Sequence, residues 1–152
     1  MLYVLALLIG VIAGLRAMMA PAVTSWGVFL GWLVVGGWAG FMGHWIAVAV
    51  FTVLAAVELV TDQLPSTPSR KVPPQFGARI VAGAFCGAVL ASATGSWVIG
   101  LIAGAIGAVI GTLGGAEVRG RLAASFGSDR PAALIEDAVA ILGGLAIVAA
   151  VA

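Results

Sequence analysis

The sequence predicts an all-α integral membrane protein, a helical bundle of about six transmembrane or re-entrant segments in one domain, residues 1–152. Of its 152 residues, 62% are hydrophobic and only 9% are charged, whereas a soluble domain has about 25% charged residues. So few charges cannot cover a surface that faces water. The 22 glycines also favour closely packed transmembrane helices.

Apolar runs separated by polar or proline-rich breaks define the segments, because a spanning helix needs about 20 apolar residues. The first runs from Leu2 to about Ala20, and we expect Pro21 to end it. The second, residues 28–42, is short and glycine-rich, so five spans plus one re-entrant segment is the alternative. The remaining segments are 46–61, 76–93, 97–114 and 132–152.

The basic residues predict the orientation. Apart from Arg16, they all lie in or beside the loops after the third and fifth segments: Arg70, Lys71, Arg79, Arg119, Arg121 and Arg130. Two crossings separate these loops, so they share one side, and basic loops stay in the cytoplasm. The sequence therefore predicts a multi-pass plasma-membrane protein with cytoplasmic charged loops and both termini outside.

The most distinctive stretch runs from Glu58 to Lys71. Glu58 and Asp62 are four positions apart, so they share one face of a helix. Pro65 is expected to end that helix, and Gln63–Gln75 is expected to form an extended polar loop. As structural groups, the two carboxylates would be counter-ions for arginines; as functional groups, they would carry protons or bind a cation.

Arg16 follows an apolar run and has two interpretations. It extends to the headgroups of the inner surface, or it turns inward and pairs with Glu58 or Asp62, as intramembrane charges usually do. Glu136 and Asp137 begin the last segment, and adjacent residues point about 100° apart, so at most one is expected to join an inner cluster. The candidate substrate-binding residues are Arg16, Glu58, Asp62, Arg79, Arg119 and Glu136.

Other features point away from enzyme chemistry. The single His44 and the single Cys86 have no partners at catalytic or zinc-ligand spacing, so we expect no enzyme activity, no cofactor and no metal. No basic cluster with interleaved aromatic residues suggests nucleic-acid binding. Glycine pairs with Gly-x-x-x-Gly spacing allow helices to approach closely, within the monomer or in a homo-oligomer: Gly10/Gly14, Gly83/Gly87, Gly100/Gly104 and Gly107/Gly111.

The chain resembles an uncharacterised family of bacterial membrane proteins, catalogued as domain of unknown function 4126. The resemblance rests on Ala13–Ala17 with Pro21 and Trp26, on Glu58–Arg70, on Gln75–Val81 and on Arg130–Ala138. It covers nearly the whole chain, and Glu58–Arg70 is its most specific part. It implies a small multi-pass protein of the bacterial inner membrane and supplies no activity.

Two functions follow from buried charge without catalytic groups. The first is a transporter or channel-like protein for a small polar or ionic solute. The alternative is a structural or lipid-interacting membrane factor, whose partners are membrane lipids. A transporter requires a cavity lined by Arg16 and Glu58, whereas in a structural factor these groups are fully paired and no cavity separates them.

Overall fold

A computed structural model describes residues 2–33, 35, 37–61, 73–92, 97–127 and 129–150. These residues form six α-helices and one 3-10 helix, with no strand among them, so the all-helical prediction is confirmed for this part of the chain. The elements are α1 (Leu2–Leu15), α2 (Met19–Phe29), the 3-10 helix (Gly37–Gly43), α3 (Trp45–Thr61), α4 (Pro73–Ser92), α5 (Trp97–Phe126) and α6 (Asp129–Ala149).

Glycines hold α1, α4 and α5 together at very short helix separations. A Cβ atom placed on Gly104 would lie 2.0 Å from the carbonyl oxygen of Gly83, and one on Gly10 would lie 2.1 Å from that of Gly104. Only glycine allows two backbones to approach this closely. The Gly-x-x-x-Gly residues at these contacts therefore pack helices within one chain.

The same contacts give the helix directions. Gly10 lies against Gly104 and Gly14 lies against Thr112, so α1 runs parallel to α5. The contacts of α4 with α5 occur in the opposite order, Gly83 with Ala108 and Gly87 with Gly100, so these two helices are antiparallel.

Helix α2 reverses the direction of α1. Val23 packs against Gly144, and Gly27 packs against Val148, so α2 runs parallel to α6. Because α6 follows α5 after a short turn and Gly143 packs against Ile12, α6 is antiparallel to α1. The chain therefore turns back on itself between α1 and α2.

The first predicted segment was wrong in its boundaries. We expected one helix from Leu2 to about Ala20, but α1 ends at Leu15 and Pro21 lies in the first turn of α2. A proline ring clashes with the carbonyl group four residues before it, which here is that of Ala17, so α1 cannot continue through this position. Proline is tolerated in a first helical turn, which explains why Pro21 lies near the start of a helix instead of ending one.

The second predicted segment, residues 28–42, does not form one continuous spanning helix among its described residues. Among its described residues only Val28 and Phe29 are α-helical, as the end of α2. Gly31 follows with a φ angle of 80°, a left-handed conformation that glycine adopts without strain. The 3-10 helix then leads back towards α2, where the Ser25 hydroxyl donates a hydrogen bond to the Met42 carbonyl.

The fifth segment is longer than predicted. We expected a loop from 115 to 131, but α5 continues to Phe126. An ion pair of 2.6 Å between Glu117 and Arg121, four positions apart, is the type that supports a helix locally. Gly127, with a φ angle of 72°, ends it in the usual left-handed conformation.

The boundaries of the predicted third and fourth segments, 46–61 and 76–93, nearly coincide with those of α3 and α4. Pro73 and Pro74, which were expected to keep the chain extended, instead open α4, where the lack of an N–H group is harmless. Asp62 and residues 63–72 of the predicted polar loop lie outside the described residues.

By length and composition, α5 is the one helix among the described residues that can cross a membrane. The most apolar 18-residue part of the helical stretch Trp97–Ser125 has a mean hydropathy of 2.0, and 33% of that part is buried within the protein. Shorter apolar helices are Tyr3–Leu15, Trp45–Glu58 and Phe76–Ser92. The exposed face of α3 is also apolar: Val50, Val53, Leu54, Val57 and Val60.

The glycine contacts predict a large difference between two similar substitutions. Gly104→Ala should lower the free energy of unfolding by at least about 1–3 kcal/mol, the usual cost of overpacking a core, because backbone atoms would have to move. Gly120→Ala is the matched control, since a Cβ there meets nothing within 4 Å, and it should be neutral or stabilising by up to about 1 kcal/mol. Denaturant titration of both purified variants measures this, and equal effects would contradict the role given to Gly104.

Candidate functional site

The candidate site surrounds the break between α1 and α2. The first amide groups of a helix have no partner within the helix, and here another helix supplies one. The Glu58 carboxylate of α3 accepts hydrogen bonds from the amide groups of Ala17 at 3.0 Å and Met18 at 2.9 Å. A carboxylate is also the charge that a helix N-terminus favours, so Glu58 stabilises the start of α2.

The end of α1 is bound by a positively charged side chain. Arg79 of α4 is 2% exposed, and its Nη1 atom donates hydrogen bonds to the carbonyl oxygens of Gly14 at 3.0 Å and Leu15 at 2.9 Å. The carbonyl end of a helix favours positive charge. The carbonyl groups at the end of α1 are therefore contacted by a positive side chain, and the amide groups just before α2 by a negative one.

Arg16 connects the break to α6. Its side chain is completely buried. The Nε atom donates a hydrogen bond of 2.7 Å to Asp137 Oδ1, and Nη1 forms a short ion pair with Glu136. Nη1 of Arg119 on α5 lies 3.6 Å from the same oxygen of Glu136, so one carboxylate is shared by two guanidinium groups.

These contacts decide between the two interpretations of Arg16. Its side chain turns into the bundle instead of extending to the lipid headgroups. The carboxylates that the structure describes in contact with it are Glu136 and Asp137 of α6. Of the two partners expected from the sequence, Glu58 binds backbone amides and Asp62 lies outside the described residues.

The expectation that at most one of Glu136 and Asp137 joins the cluster was wrong. A guanidinium group carries five N–H donors that spread in its plane, so it reaches two carboxylates that point in different directions.

The structure brings together Arg16, Glu58, Arg79, Arg119 and Glu136, as the sequence predicted, and adds Asp137. We call these six residues the inner cluster. The hydrogen bonds that Glu58 accepts from backbone amides were not predicted from the sequence. Pro21 gave a signal for them, because a proline in an apolar run indicates that helix ends, with amide and carbonyl groups that need partners, lie nearby. Asp62 is outside the described residues.

His44 and Cys86 lie apart from the inner cluster. His44 is exposed, stacks on Trp45 and accepts a hydrogen bond from the amide of Ile46. Cys86 is fully buried in the apolar core. Among the described residues, no group of three or more His, Cys, Asp and Glu is placed to hold a metal ion.

A groove of about 290 Å³ opens between α1, α5 and α6 beside the inner cluster. Its charged lining residues are Arg119 and Glu136, and neither Arg16 nor Glu58 lines it. The remaining lining residues are apolar or glycine: Val11, Leu15, Ile110, Gly111, Gly114, Gly115, Val118, Leu122, Ile135 and Val139. We call this space the α1/α5/α6 groove.

Two further cavities have no charged lining residue. One of about 550 Å³ lies between α4 and α5 and is lined by Phe85, Trp97 and smaller apolar side chains. The other, of about 250 Å³, lies between α2, α3 and α6. Of these three cavities, the α1/α5/α6 groove is the one that joins an apolar wall to charged groups.

Comparison with models of known protein families, with curated proteins and with solved structures finds no match to this chain. The arguments about function below therefore rest on the residues and contacts described here.

The buried pairs of Arg16 predict a strong effect on stability. Arg16→Met keeps most of the side-chain volume but leaves two carboxylates without this cation, so it should lower the free energy of unfolding by about 3–5 kcal/mol. Arg121→Gln, which removes an exposed ion pair, should cost about 1 kcal/mol or less. Unfolding titrations of the purified variants provide the comparison.

A second set of variants tests the cause. Adding Glu136→Gln and Asp137→Asn to Arg16→Met should recover part of the lost stability, because the uncompensated negative charges are removed. If the single Arg16→Met variant is as stable as Arg121→Gln, the inner cluster does not hold the helices together.

Proposed function

We propose that this chain is a small multi-pass protein of the bacterial inner membrane that binds a membrane lipid in the α1/α5/α6 groove. In this proposal the inner cluster holds the helices in place and lies at the cytoplasmic side. The observation that carries it is a groove whose walls are apolar apart from two charged residues, Arg119 and Glu136.

The exposed face of α5 supports insertion into a membrane. It is apolar for several turns and then becomes charged at Glu117, which is largely exposed. Trp97 and Glu117 are twenty positions apart, which at 1.5 Å per residue is about 30 Å, the thickness of the hydrocarbon core of a bilayer. Trp97 is the type of residue found at the membrane interface. The exposed apolar residues between them include Ile99, Ile102, Ile106, Ile110 and Leu113.

The distribution of charge agrees with this placement. The charged side chains of the described residues are located at one end of the bundle, where α1, α3 and α5 end and α4 and α6 begin. The basic residues among them, and those of the stretch after α3, favour the cytoplasmic side for this end.

Labelling of introduced cysteines tests the orientation. In a Cys86→Ala background, His44→Cys at the uncharged end should react with a membrane-impermeant maleimide added to intact spheroplasts. Glu117→Cys should react only after the membrane is permeabilised. Reaction of both sites in intact spheroplasts, or the reverse pattern, would contradict the proposed topology.

The position of the groove suits one lipid chain. Its α5 residues extend from Ile110 to Leu122, and the distance from Ile110 to Arg119, nine positions, is about 14 Å along the helix. This is close to half of the roughly 30 Å hydrocarbon core. A lipid of the inner leaflet, with its chain along the apolar wall and its headgroup at the charged end, has the matching length.

The same geometry favours lipid over a small polar solute. Arg16 is fully buried and paired, Glu58 binds backbone amides, and the groove is lined by neither. A pocket for a polar solute places several polar groups around it, whereas the wall here is almost entirely apolar. Transport through the inner cluster remains the alternative prediction, and the experiment below includes it.

Filling the groove tests the proposal. A Cβ on Gly114 meets nothing within 4 Å, so Gly114→Leu should occupy the groove without disturbing the helices. Native mass spectrometry of protein purified in mild detergent should find at least one tightly bound phospholipid on the wild type and a loss of most of it in Gly114→Leu. Gly120→Leu is the control, because Gly120 is on the same helix, equally open and outside the groove lining.

Equal lipid binding in both variants would overturn the proposal. The same protein in liposomes gives the second readout. Flux of protons or of a small ion that exceeds that of empty liposomes and is abolished by Glu58→Gln would instead support the transporter. The lipid-binding proposal expects no such flux.

A further inference from the structure

We infer that the α1/α5/α6 groove binds one of the two acyl chains of a phospholipid, and that its closed upper end limits the length of that chain. The site then prefers lipids with short chains. This inference rests on the proposed lipid binding and adds which part of the lipid is recognised.

The charged residues at the groove do not select a headgroup by its net charge. Among the described residues, Arg16 and Arg119 are matched by Glu136 and Asp137, two positive charges against two negative ones. Discrimination between lipids is therefore assigned to the apolar wall, which makes up the rest of the groove lining.

Contact between two backbones closes the upper end of the groove, the end nearer to the bilayer centre. A Cβ atom on Gly111 would lie 2.3 Å from the carbonyl oxygen of Val11, so no chain passes between α1 and α5 at this level. Below it the space opens, because α1 ends at Leu15 and a Cβ on Gly114 meets nothing within 4 Å. A space that begins where two backbones separate has a fixed end.

Helix α6 closes the same end from the other side. A Cβ atom on Gly143 would lie 3.2 Å from Cδ1 of Ile12. Gly143 is one helical turn beyond Val139, which lines the groove. Helix α1 thus contacts α5 and α6 at the same level, and we call this level the closed end of the groove.

The size of the groove corresponds to one short chain. An apolar cavity of about 150 Å³ binds benzene, which has six carbon atoms. On that scale, the groove of about 290 Å³ holds roughly a dozen carbon atoms. Its length from Ile110 to Arg119, about 14 Å, leaves no room for a chain longer than one leaflet of the hydrocarbon core, about 15 Å.

The second chain of the lipid has a place outside the groove. Ile110 and Val139, which line it on α5 and α6, are 52% and 51% exposed, so the groove lies at the surface that faces the lipid. One chain enters between the helices, and the other remains in the bilayer beside them.

Ile110 is the residue at which a longer chain is expected to be rejected. It is the lining residue of α5 that lies nearest to the closed end. A chain with more carbon atoms than the groove holds crowds this side chain or leaves the groove before reaching it, and loses packing contacts in both cases. Overpacking an apolar site has a cost whose lower range corresponds to roughly a fivefold change in affinity.

The experiment is a competition between two lipids with the same headgroup. The full-length protein is placed in nanodiscs of equal phosphatidylcholine with two twelve-carbon chains and phosphatidylcholine with two eighteen-carbon chains. It is then extracted gently, and the bound lipid is identified by native mass spectrometry. The wild type should carry the short-chain lipid with a roughly fivefold enrichment.

Two isoleucines of α5 provide the matched variants. Ile110→Ala lengthens the groove at its closed end and should bring the two lipids close to equal. Ile106→Ala should resemble the wild type, because Ile106 is one turn away, is 50% exposed against 52% for Ile110, and does not line the groove. Equal effects of the two substitutions contradict the role given to the closed end.

The remaining outcomes separate the inference from the proposed function. Bound lipid that Gly114→Leu removes, but that shows no preference for chain length, overturns this inference and leaves lipid binding intact. Wild-type protein without bound lipid overturns both. A short-chain enrichment that persists in Gly114→Leu means that short lipids gather around the whole protein, and it also contradicts the inference.

A lipid with a single chain tests the number of chains bound. Lysophosphatidylcholine with one twelve-carbon chain, added to the extracted protein, should displace the bound phospholipid one for one. Failure to displace it would mean that both chains are needed, and would overturn the assignment of one chain to the groove.

Discussion

The structure depends on the way the break between α1 and α2 is stabilised. A chain that reverses direction inside an apolar protein leaves amide and carbonyl groups that water cannot reach, and each of these is costly when unpaired. Glu58 binds the amide groups and Arg79 binds the carbonyl groups. Arg16, between them, then fixes the break to α6 through Asp137 and Glu136. Removing Arg16 would leave two carboxylates without this cation, and removing Glu58 or Arg79 would leave backbone groups without these hydrogen bonds.

The glycine contacts and the inner cluster have complementary roles. Glycines bring α1, α4 and α5 together along their apolar lengths. There the helices are held by close packing of small residues and not by ion pairs or side-chain hydrogen bonds. The charges act at one end of the bundle, where they determine which helices are neighbours there. Because α4 and α5 hold α1 along its length and α3 and α6 hold the residues just after it, the position of the break is set from several directions.

The same arrangement creates the groove. Glycines that do not contact α1, such as Gly114, leave space beside α5, and α6 is held near its start by Arg16. Glu136 and Arg119 are the two residues of the inner cluster that line this space. The inner cluster and the groove therefore share the carboxylate of Glu136.

The sequence by itself determined the helical class, the gathering of charged residues at one end, and most members of the inner cluster. Low charge, abundant glycine and proline-bounded apolar runs are local properties that can be read along the chain. The tertiary structure alone decided that α1 ends before Arg16, that Arg16 contacts Glu136 and Asp137, and that a groove opens beside Arg119. These helices are apolar on nearly all sides, so no polar face indicates which side looks inward. Which carboxylate meets Arg16 is fixed only when close backbone contacts, such as Gly10 with Gly104, set the rotation and order of the helices.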